Sequence, residues 1–349
     1  MTASVSDHPI LSGLLGDVEV SVQFSAAVEL QAMLAFEVAL ARAEADEGLI
    51  PADAADAIAG LAEQFVADLD ALNQATARDG VIIPELVRQW RVALGEHASH
   101  LHYGATSQDA IDSGLMLRLC EVLRILAQRL GMLIHALDAL ASRFGPQPLM
   151  GRTRMQAAIE ITVADRIASW RLPLVELRDA VAALSAAGLP VQFGGAAGTL
   201  EKLGPSAVPV RSRLAAALGL ADRSQWHSQR GIITELGGLF ARITGSLGKI
   251  GQDLALMADA GSAVLGGGGA SSAMPHKRNP VKAEVLVTLA RFNAVQISGL
   301  HQAMVHEQER SGAAWTLEWM LLPQMAVAAG ASTRIAAELL GSVEQLGEG

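Results

Sequence analysis

The residues with the clearest chemical potential lie between Gly266 and Pro280, where four glycines precede a short polar stretch. That stretch supplies two hydroxyls, an imidazole, a lysine, an arginine and an amide, at Ser271, Ser272, His276, Lys277, Arg278 and Asn279. Consecutive glycines permit backbone conformations that other residues avoid, so the pattern predicts a mobile loop. Asn279 and Pro280 are typical of a helix start, whose positive terminus can hold an anion. The alternative interpretation is a glycine-rich linker between two helices.

A second polar stretch runs from Glu96 to Asp112. It begins with three histidines in six positions, His97, His100 and His102, and continues with Thr106, Ser107, Gln108 and Asp109. The histidine spacing matches no common metal site and no cysteine is nearby, so we predict no metal. Thr106 and Ser107 stand where a long helix begins. Their hydroxyls could cap that helix or, together with its first amides, hold a carboxylate.

Two further segments combine cationic and polar side chains. Gly151–Gln156 contains Arg152, Thr153 and Arg154, and we interpret it as the polar start of a second long helix. The segment from Gln225 to Arg230 contains His227 and precedes a third long helix. Together the four segments offer several cations and hydroxyls, which suits a substrate with more than one carboxylate.

Apolar residues at three- and four-residue steps predict the helices that must position these segments. The clearest run, Leu119 to Leu140, indicates a helix from about Ser107 to Phe144, and Ile232 to Met257 indicates another from about Ser228. Two more are expected at about 280–306 and 313–340. Helices that share such a stripe must bundle, and this stripe is broader than five helices from one chain would bury. We therefore predict an all-α homo-oligomer.

Bulk composition excludes several functions. The formal net charge is −10, which makes nucleic acid an unfavourable partner. The single cysteine, Cys120, excludes an internal disulfide and fits a reducing cytoplasm. The first ten residues show no basic region followed by an apolar run, and no uninterrupted apolar stretch reaches membrane-spanning length. We therefore expect a cytoplasmic protein without membrane contact.

The segment from Ser271 to Pro280, Ser-Ser-Ala-Met-Pro-His-Lys-Arg-Asn-Pro, resembles the signature of the fumarase/aspartase superfamily. Thr106–Asp109 resembles a second block of that superfamily, and Gly151–Gln156 occupies the place of another. The resemblance covers nearly the whole chain. It implies an all-α long-helix bundle at 106–349, a small N-terminal helical domain at 1–105, and no counterpart of the small C-terminal domain of relatives. It also implies a homotetramer in which three subunits form each active site, without a cofactor.

Within the superfamily, the chain looks most like the bacterial cycloisomerases that form a lactone from 3-carboxy-cis,cis-muconate, in the protocatechuate branch of the β-ketoadipate pathway. The segments that carry this likeness are Phe24 to Pro51, His102 to Asp109, Trp226 to Arg230, and Trp315 to Trp319. Three alternatives are a cycloisomerase for a sulfonated muconate, a C–N lyase such as adenylosuccinate lyase, and a non-catalytic helical oligomer. Such lyases usually carry a histidine where this chain has Arg154, and a second arginine suits a tricarboxylate substrate.

The resemblance assigns roles residue by residue. Ser271 would be the acid/base on the loop and Lys277 the main countercharge, with His227 and His102 as alternative proton donors. The substrate-binding set is Thr106, Ser107, Gln108, Arg152, Thr153, Arg154, Gln156, Arg230, Ser272, Met274 and Asn279. Ala270 and Gly231 depart from the family pattern, which puts the closure of the loop and the rate in question.

Overall fold

The computed structural model describes residues 5–6, 8–270 and 278–348. These residues form twelve α-helices, six short strands and three 3-10 turns. The helices before residue 105 are α1 Ser12–Leu15, α2 Val18–Ser21, α3 Ala26–Asp46, α4 Ala52–Ala62, α5 Leu69–Asp79 and α6 Ile83–Leu94. Those after it are α7 Ser107–Phe144, α8 Val163–Ala187, α9 Ala207–Leu218, α10 Gly231–Asp259, α11 Val281–Gln302 and α12 Gly312–Gly341. The all-α class and the long-helix bundle predicted from the sequence are confirmed.

Among the short N-terminal helices, α4 packs against α3, and α6 contacts α4, α5 and α7. Ser25 caps α3 by accepting the Val28 amide at 3.4 Å, and Phe36 and Leu40 are buried on its inner face. Trp90 of α6 is also buried and stacks on Phe65 with ring centroids 5.7 Å apart. The opposite side of α3 contacts α7. The apolar core is therefore continuous from the short helices into the long ones.

The long helices α7, α8, α10, α11 and α12 form the bundle. The predicted stripe of α7 is buried at every position from Leu119 to Leu140, and that of α10 is buried from Leu236 to Met257. Apolar side chains at three- and four-residue steps share one face of a helix, so each stripe packs on its neighbours. At about 1.5 Å per residue, α7 extends ~57 Å. Two widely separated ends of the bundle result.

The interpretation of Gly151–Gln156 as a helix start was wrong. These residues belong to an antiparallel hairpin of strands β1, Pro148–Thr153, and β2, Gln156–Thr162. Arg154 and Met155 form its two-residue turn with φ of 48° and 66°. Such left-handed turns match the twist of the flanking strands. Helix α8 begins only at Val163, where Thr162 accepts the Asp165 amide at 3.2 Å.

Two other helix starts differ from the prediction. Helix α10 begins at Gly231, after an irregular segment that includes Ser228. Asn279 is not a helix cap, because it lies in strand β5, Arg278–Asn279, and pairs with Gly269 of strand β4, Gly269–Ala270. Pro280 takes the capping position instead. The remaining strands, β3 Ala263–Leu265 and β6 Val343–Leu346, pair beside the hairpin.

Candidate active site

Asp109, in the first turn of α7, is the centre of the Thr106 segment. Its buried carboxylate accepts the amide of Thr106 at 3.0 Å and the amides of Gly194 and Gly195 at 2.9 Å each. His227 Nε2 lies 2.8 Å from the same carboxylate. One side chain thus holds three separate segments at the start of α7. The spacing Thr-x-x-Asp in the sequence predicts the helix cap, but not the contacts of Asp109 with the distant segments.

Gln108 was predicted to bind substrate, but the protein itself uses its amide. Its side-chain nitrogen donates to Asp112 at 3.1 Å and to the His227 carbonyl at 3.0 Å. Its oxygen accepts Arg310 Nε at 2.9 Å. The residue is fully buried, so in this chain it orients its neighbours. Thr106 and Ser107, half-buried at the same helix start, keep their place as candidate carboxylate ligands.

Arg230 also differs from the prediction that it binds a substrate carboxylate. Only 1% exposed, it donates from Nη1 to Asp112 at 2.6 Å and from Nη2 to Glu318 at 2.5 Å. Its guanidinium also lies 4.4 Å from the Trp226 ring centroid. Burial alone would lower its pKa, but the two carboxylates outweigh burial and raise the pKa. Arg230 is therefore the centre of a buried ion network that joins α7, α10 and α12.

The partners of Arg230 were not predicted as part of any site. Burial raises the pKa of Glu318, and Arg230 partly offsets that effect. Trp315 donates its indole N–H to Asp112 at 3.0 Å. Trp315 is itself part of the core, with only 3% of its surface exposed. Asp112 and Glu318 are single charged residues within long helical patterns, and nothing in the sequence indicated that they would contact Arg230.

The two candidate histidines lie at this same end. His227 is 1% exposed, and its Nδ1 has no hydrogen-bond partner among the residues that the structure describes. His102 lies in the left-handed region, with φ of 59°, and its Nδ1 is 2.5 Å from Glu37 Oε1. Burial opposes a charge on His102, but the Glu37 carboxylate raises its pKa above the ordinary value. Both imidazoles are thus paired with buried carboxylates.

The hairpin presents a contrasting set of candidates at the surface. Arg152, Thr153, Arg154 and Gln156 are all exposed, and no carboxylate in the described part of the chain pairs with either arginine. Arg152 and Arg154 line a cavity of about 900 Å³ together with Arg166, Lys249 and Asp253. Arg166 lies 3.3 Å from Asp253, and Lys249 pairs with the same carboxylate. Asp165 and Asp259 also line this cavity, so its unpaired positive charge is that of the two hairpin arginines.

The glycine segment lies at the hairpin end as well. Asn279 lines a cavity of about 270 Å³ with Gly266 to Gly269, Lys282 and Arg334. Ser271, Ser272, Met274 and Lys277, which the sequence assigned to catalysis and binding, lie outside the described residues. The backbone of Glu348 donates to Pro148 at 2.9 Å, and that of Gly347 donates to Ser262 at 3.0 Å. These bonds join the hairpin, the end of α10 and the chain's last residues.

The predicted site residues consequently fall into two groups. Thr106, Ser107, Gln108, His227, His102 and Arg230 surround the start of α7, which we call the Thr106 end. Arg152, Thr153, Arg154, Gln156 and Asn279 lie beyond the other terminus of α7, which we call the hairpin end. The length of α7, ~57 Å, separates the two groups within one chain. No single small substrate can contact both.

The described residues contain no group of three or more His, Cys, Asp or Glu side chains that could hold a metal ion. None of their helices is by itself long and apolar enough to cross a membrane. The segments Val18–Phe24 and Ala26–Asp46 reach that length and composition only jointly, across a bend of 53°.

Known proteins match this chain over most of its length. The profile of a family described as Lyase matches residues 18–299. The 3-carboxy-cis,cis-muconate cycloisomerase of Pseudomonas aeruginosa is 40% identical over 331 residues, which cover 92% of this chain and 72% of that protein. The nitrosuccinate lyase of Streptomyces davaonensis is 36% identical over an alignment of 360 residues, 97% of this chain and 75% of that protein. The crystal structure of 3-carboxy-cis,cis-muconate lactonizing enzyme from Pseudomonas putida superposes with a TM-score of 0.90 at 36% identity. The superposition covers 97% of this chain and 77% of that structure's chain.

Proposed function

This chain belongs to the fumarase/aspartase superfamily of lyases, and we propose that it is a cycloisomerase that converts 3-carboxy-cis,cis-muconate into 4-carboxymuconolactone. The observation that carries the proposal is its similarity, along nearly the whole chain, to cycloisomerases of that substrate. The exposed guanidinium groups of Arg152 and Arg154 support it, because a tricarboxylate requires several cations. We place the reaction in the cytoplasm, in the protocatechuate branch of aromatic degradation.

The reaction is an intramolecular addition that needs no cofactor. One carboxylate oxygen of the substrate attacks an alkene carbon and closes the lactone ring. The electron pair of that alkene moves toward a carbon beside another carboxylate, and a proton is delivered to that carbon. The protein must therefore bind three carboxylates, stabilise the negative charge that develops on one of them, and supply one proton.

We assign these tasks to the two groups of residues. Thr106 and Ser107, with the first amides of α7, bind one carboxylate. Arg152 and Arg154, supported by Thr153 and Gln156, bind a second carboxylate. Lys277, Ser272, Met274 and Asn279 hold the remaining part of the substrate, and Ser271 delivers the proton. His227 is the alternative donor, since its imidazole is already paired with Asp109.

The separation of the two groups supports a shared active site. Because ~57 Å lies between them in one chain, the Thr106 end of one subunit must meet the hairpin end of another. The bundle also leaves large apolar side chains exposed on its long helices, including Met132, Leu172, Val295 and Met320. Buried against other subunits, these side chains would stabilise the homotetramer that we propose.

Mixing two inactive variants tests the shared site. Ser107→Ala combined with Thr106→Val disables the Thr106 end, and Arg152→Gln combined with Arg154→Gln disables the hairpin end. If different subunits supply the two ends, dissociation and reassembly of the mixture should restore part of the activity. Either variant carried through the same cycle alone is the control. Absence of recovery in tetramers that are shown to be mixed, by co-purification of subunits with two different tags, would exclude sharing.

Substrate tests separate this proposal from its alternatives. The purified protein is offered 3-carboxy-cis,cis-muconate, its sulfonated analogue, adenylosuccinate and nitrosuccinate in separate assays. With 3-carboxy-cis,cis-muconate we expect the diene absorbance to fall as the lactone forms. A C–N lyase is the second candidate because of the likeness to nitrosuccinate lyase, and release of fumarate or nitrite would favour it. Faster turnover of the sulfonated analogue would reassign the substrate.

The role of Ser271 has its own test. Ser271→Ala should keep the oligomer and lose most turnover, by roughly a hundredfold or more, because general acid/base groups contribute at that level. Ser272→Ala is the neighbouring control and should lower turnover less. Turnover like that of the wild type in the Ser271 variant would transfer the proton delivery to another group, with His227→Asn as the next variant to measure.

A further inference from the structure

A cluster of buried titratable groups lies beneath the loop that leads into the Thr106 segment. Glu37 and Glu44 are seven residues apart on α3, are 2% and 0% exposed, and share one face of the helix. Glu37 Oε1 lies 2.5 Å from His102 Nδ1. Glu37 Oε2 and both oxygens of Glu44 have no hydrogen-bond partner within residues 8–270 and 278–348. The reaction described above uses neither carboxyl group.

The buried environment keeps Glu44 neutral at neutral pH. Burial, with a further contribution from the charge of Glu37, raises the pKa of Glu44 to about 9, and Lys202 only partly offsets this. Glu44 is therefore the protonated, neutral member of the pair. Glu37 is the carboxylate, and His102 is its partner. A buried carboxylate beside an imidazole favours the charged form of that imidazole.

The surrounding loop fixes the orientation of the His102 ring. The two residues that flank Tyr103 both have left-handed backbone conformations, with φ of 59° at His102 and 71° at Gly104. A side chain at position 104 would collide with Leu203, and Lys202 Nζ lies 4.0 Å from the Tyr103 ring centroid. The loop is thus packed against the segment 201–206. With Nδ1 directed at Glu37, Nε2 is the ring nitrogen left to bind another group.

Resting on the proposed function, we propose that Glu37 is a positioning residue that holds His102 as a cation, whose Nε2–H binds a substrate carboxylate at the Thr106 end. In this role the Nε2 proton of His102 stays on the ring and bonds the substrate, and Ser271 remains the proposed donor of the proton that reaches carbon. Three charged groups face His102: Glu37 from α3 and Asp109 from α7 favour its proton, and Arg91 from α6 opposes it. The two carboxylates outweigh the single guanidinium.

The test is Glu37→Gln, which keeps a hydrogen-bond acceptor of nearly the same shape and removes the charge. We expect His102, followed by NMR of its Cε1 carbon, to titrate at a lower pH than in the wild type. The KM for 3-carboxy-cis,cis-muconate should rise about tenfold near pH 8 and recover near pH 6, with kcat little changed. Glu44→Gln is the matched control on the same helix face. Because Glu44 is already neutral, its variant should leave the KM unchanged.

Binding of tricarballylate, a tricarboxylate that undergoes no lactonization, separates this inference from the proposed function. If the wild type does not turn over the muconate, the proposed function fails. Weaker tricarballylate binding by Glu37→Gln near pH 8, together with the shifted titration, would then still support the role of Glu37. An unchanged titration and affinity would overturn it. A pH-independent loss of kcat in Glu37→Gln, together with a lowered melting temperature, would also overturn the inference, because it would indicate that Glu37 is only structural.

If Glu37→Gln does not fold, the wild type provides the second measurement. Its His102 must titrate above the ordinary histidine pKa, and tricarballylate must lose affinity over that same pH range. A His102 titration at or below the ordinary value would overturn the inference without any variant.

Discussion

Helices α7 and α8 begin with the same motif at opposite ends of the bundle. The Thr106 amide donates to Asp109 at 3.0 Å, and the Thr162 amide donates to Asp165 at 2.9 Å. Asp109 is fully buried and accepts three more donors from distant segments. Asp165 is exposed and accepts bonds only from Thr162 among the described residues. The same local sequence thus gives a structural centre at one end and a simple helix cap at the other.

The difference shows how each end contributes to a site. At the Thr106 end the chain pairs its own buried charges, so the geometry there is complete before any substrate arrives. At the hairpin end Arg152 and Arg154 project from a surface hairpin without a carboxylate partner in the part of the chain that the structure describes. A preorganised end and an open, cationic end would be complementary halves of the shared site that we propose. We expect mutations of the buried ion pairs at the first end to change stability, and mutations of the exposed arginines at the second end to change binding.

The largest loss of stability is expected from Arg230→Met. The substitution leaves Asp112 and Glu318 buried without their countercharge, which should cost about 3–5 kcal/mol of unfolding free energy. Urea unfolding measures the change. Arg171→Met is the control, because Arg171 pairs with Asp138 at 2.6 Å on the surface and should change stability little. Similar losses in both variants would contradict the distinction between the two ends.

The second prediction compares the two capping aspartates directly. Asp109→Asn removes the charge that holds the amides of Gly194 and Gly195 and orients His227, so we expect a loss of roughly 3 kcal/mol. Asp165→Asn alters only an exposed cap and should cost clearly less. Both are measured by denaturant unfolding at the same pH. An equal cost would mean that the buried contacts of Asp109 contribute nothing.

Periodicity predicted the long helices well because local apolar spacing determines which face is buried. The bounds of α7 agree with the prediction, Ser107–Phe144. The hairpin at 148–162 was missed because its strands are short, its outer face is polar, and Arg154 and Met155 occupy turn positions that usually favour glycine or asparagine. The apolar residues of this arginine-rich segment therefore showed no regular spacing that distinguishes a strand from the start of a helix.

The site was predictable only where its residues follow one another in the chain. Thr106 and Ser107 were proposed from their position at a helix start, and Arg152 and Arg154 from their charge; all four stay predictions. The ion network of Arg230 joins residues 88 and 118 positions away, Glu318 and Asp112. A single sequence contains no pattern that pairs such distant charges. The sequence therefore suggested Arg230 as a carboxylate ligand for the substrate and did not reveal its two carboxylate partners within the protein.

The third prediction uses carboxyl groups whose pKa values are shifted in opposite directions. Glu44 has its pKa raised to about 9, chiefly by burial, so the folded state holds a proton that the unfolded state loses above about pH 4.5. Its stabilising effect is therefore present at low pH and is lost as the pH rises toward 9. Relative to the wild type, Glu44→Gln should gain about 1.4 kcal/mol per pH unit between pH 5 and 8.

Asp165 at the hairpin end provides the control of opposite sign. Its pKa is lowered, first by the Thr162 amide and then by the Thr162 hydroxyl. The contribution of Asp165 is present above its unfolded pKa and is lost as the pH falls through the folded value. Asp165→Asn should therefore differ from the wild type least at the acid end of the range. A pH-independent Glu44→Gln difference would show that Glu44 is ionised in the folded protein.

The smallest effect on stability, with a large effect on binding, is expected from the exposed arginines of the hairpin. Combined Arg152→Gln and Arg154→Gln leaves no buried charge unpaired, so urea unfolding should match the wild type. The KM for the tricarboxylate should nevertheless rise at least about tenfold, because each lost guanidinium removes a charge-assisted contact. Arg178→Gln is the surface control, since Arg178 pairs with Asp179 on α8 and should alter neither quantity. If the double variant unfolds more easily while its KM stays constant, the hairpin end is structural, and the open half of the site must lie elsewhere on the chain.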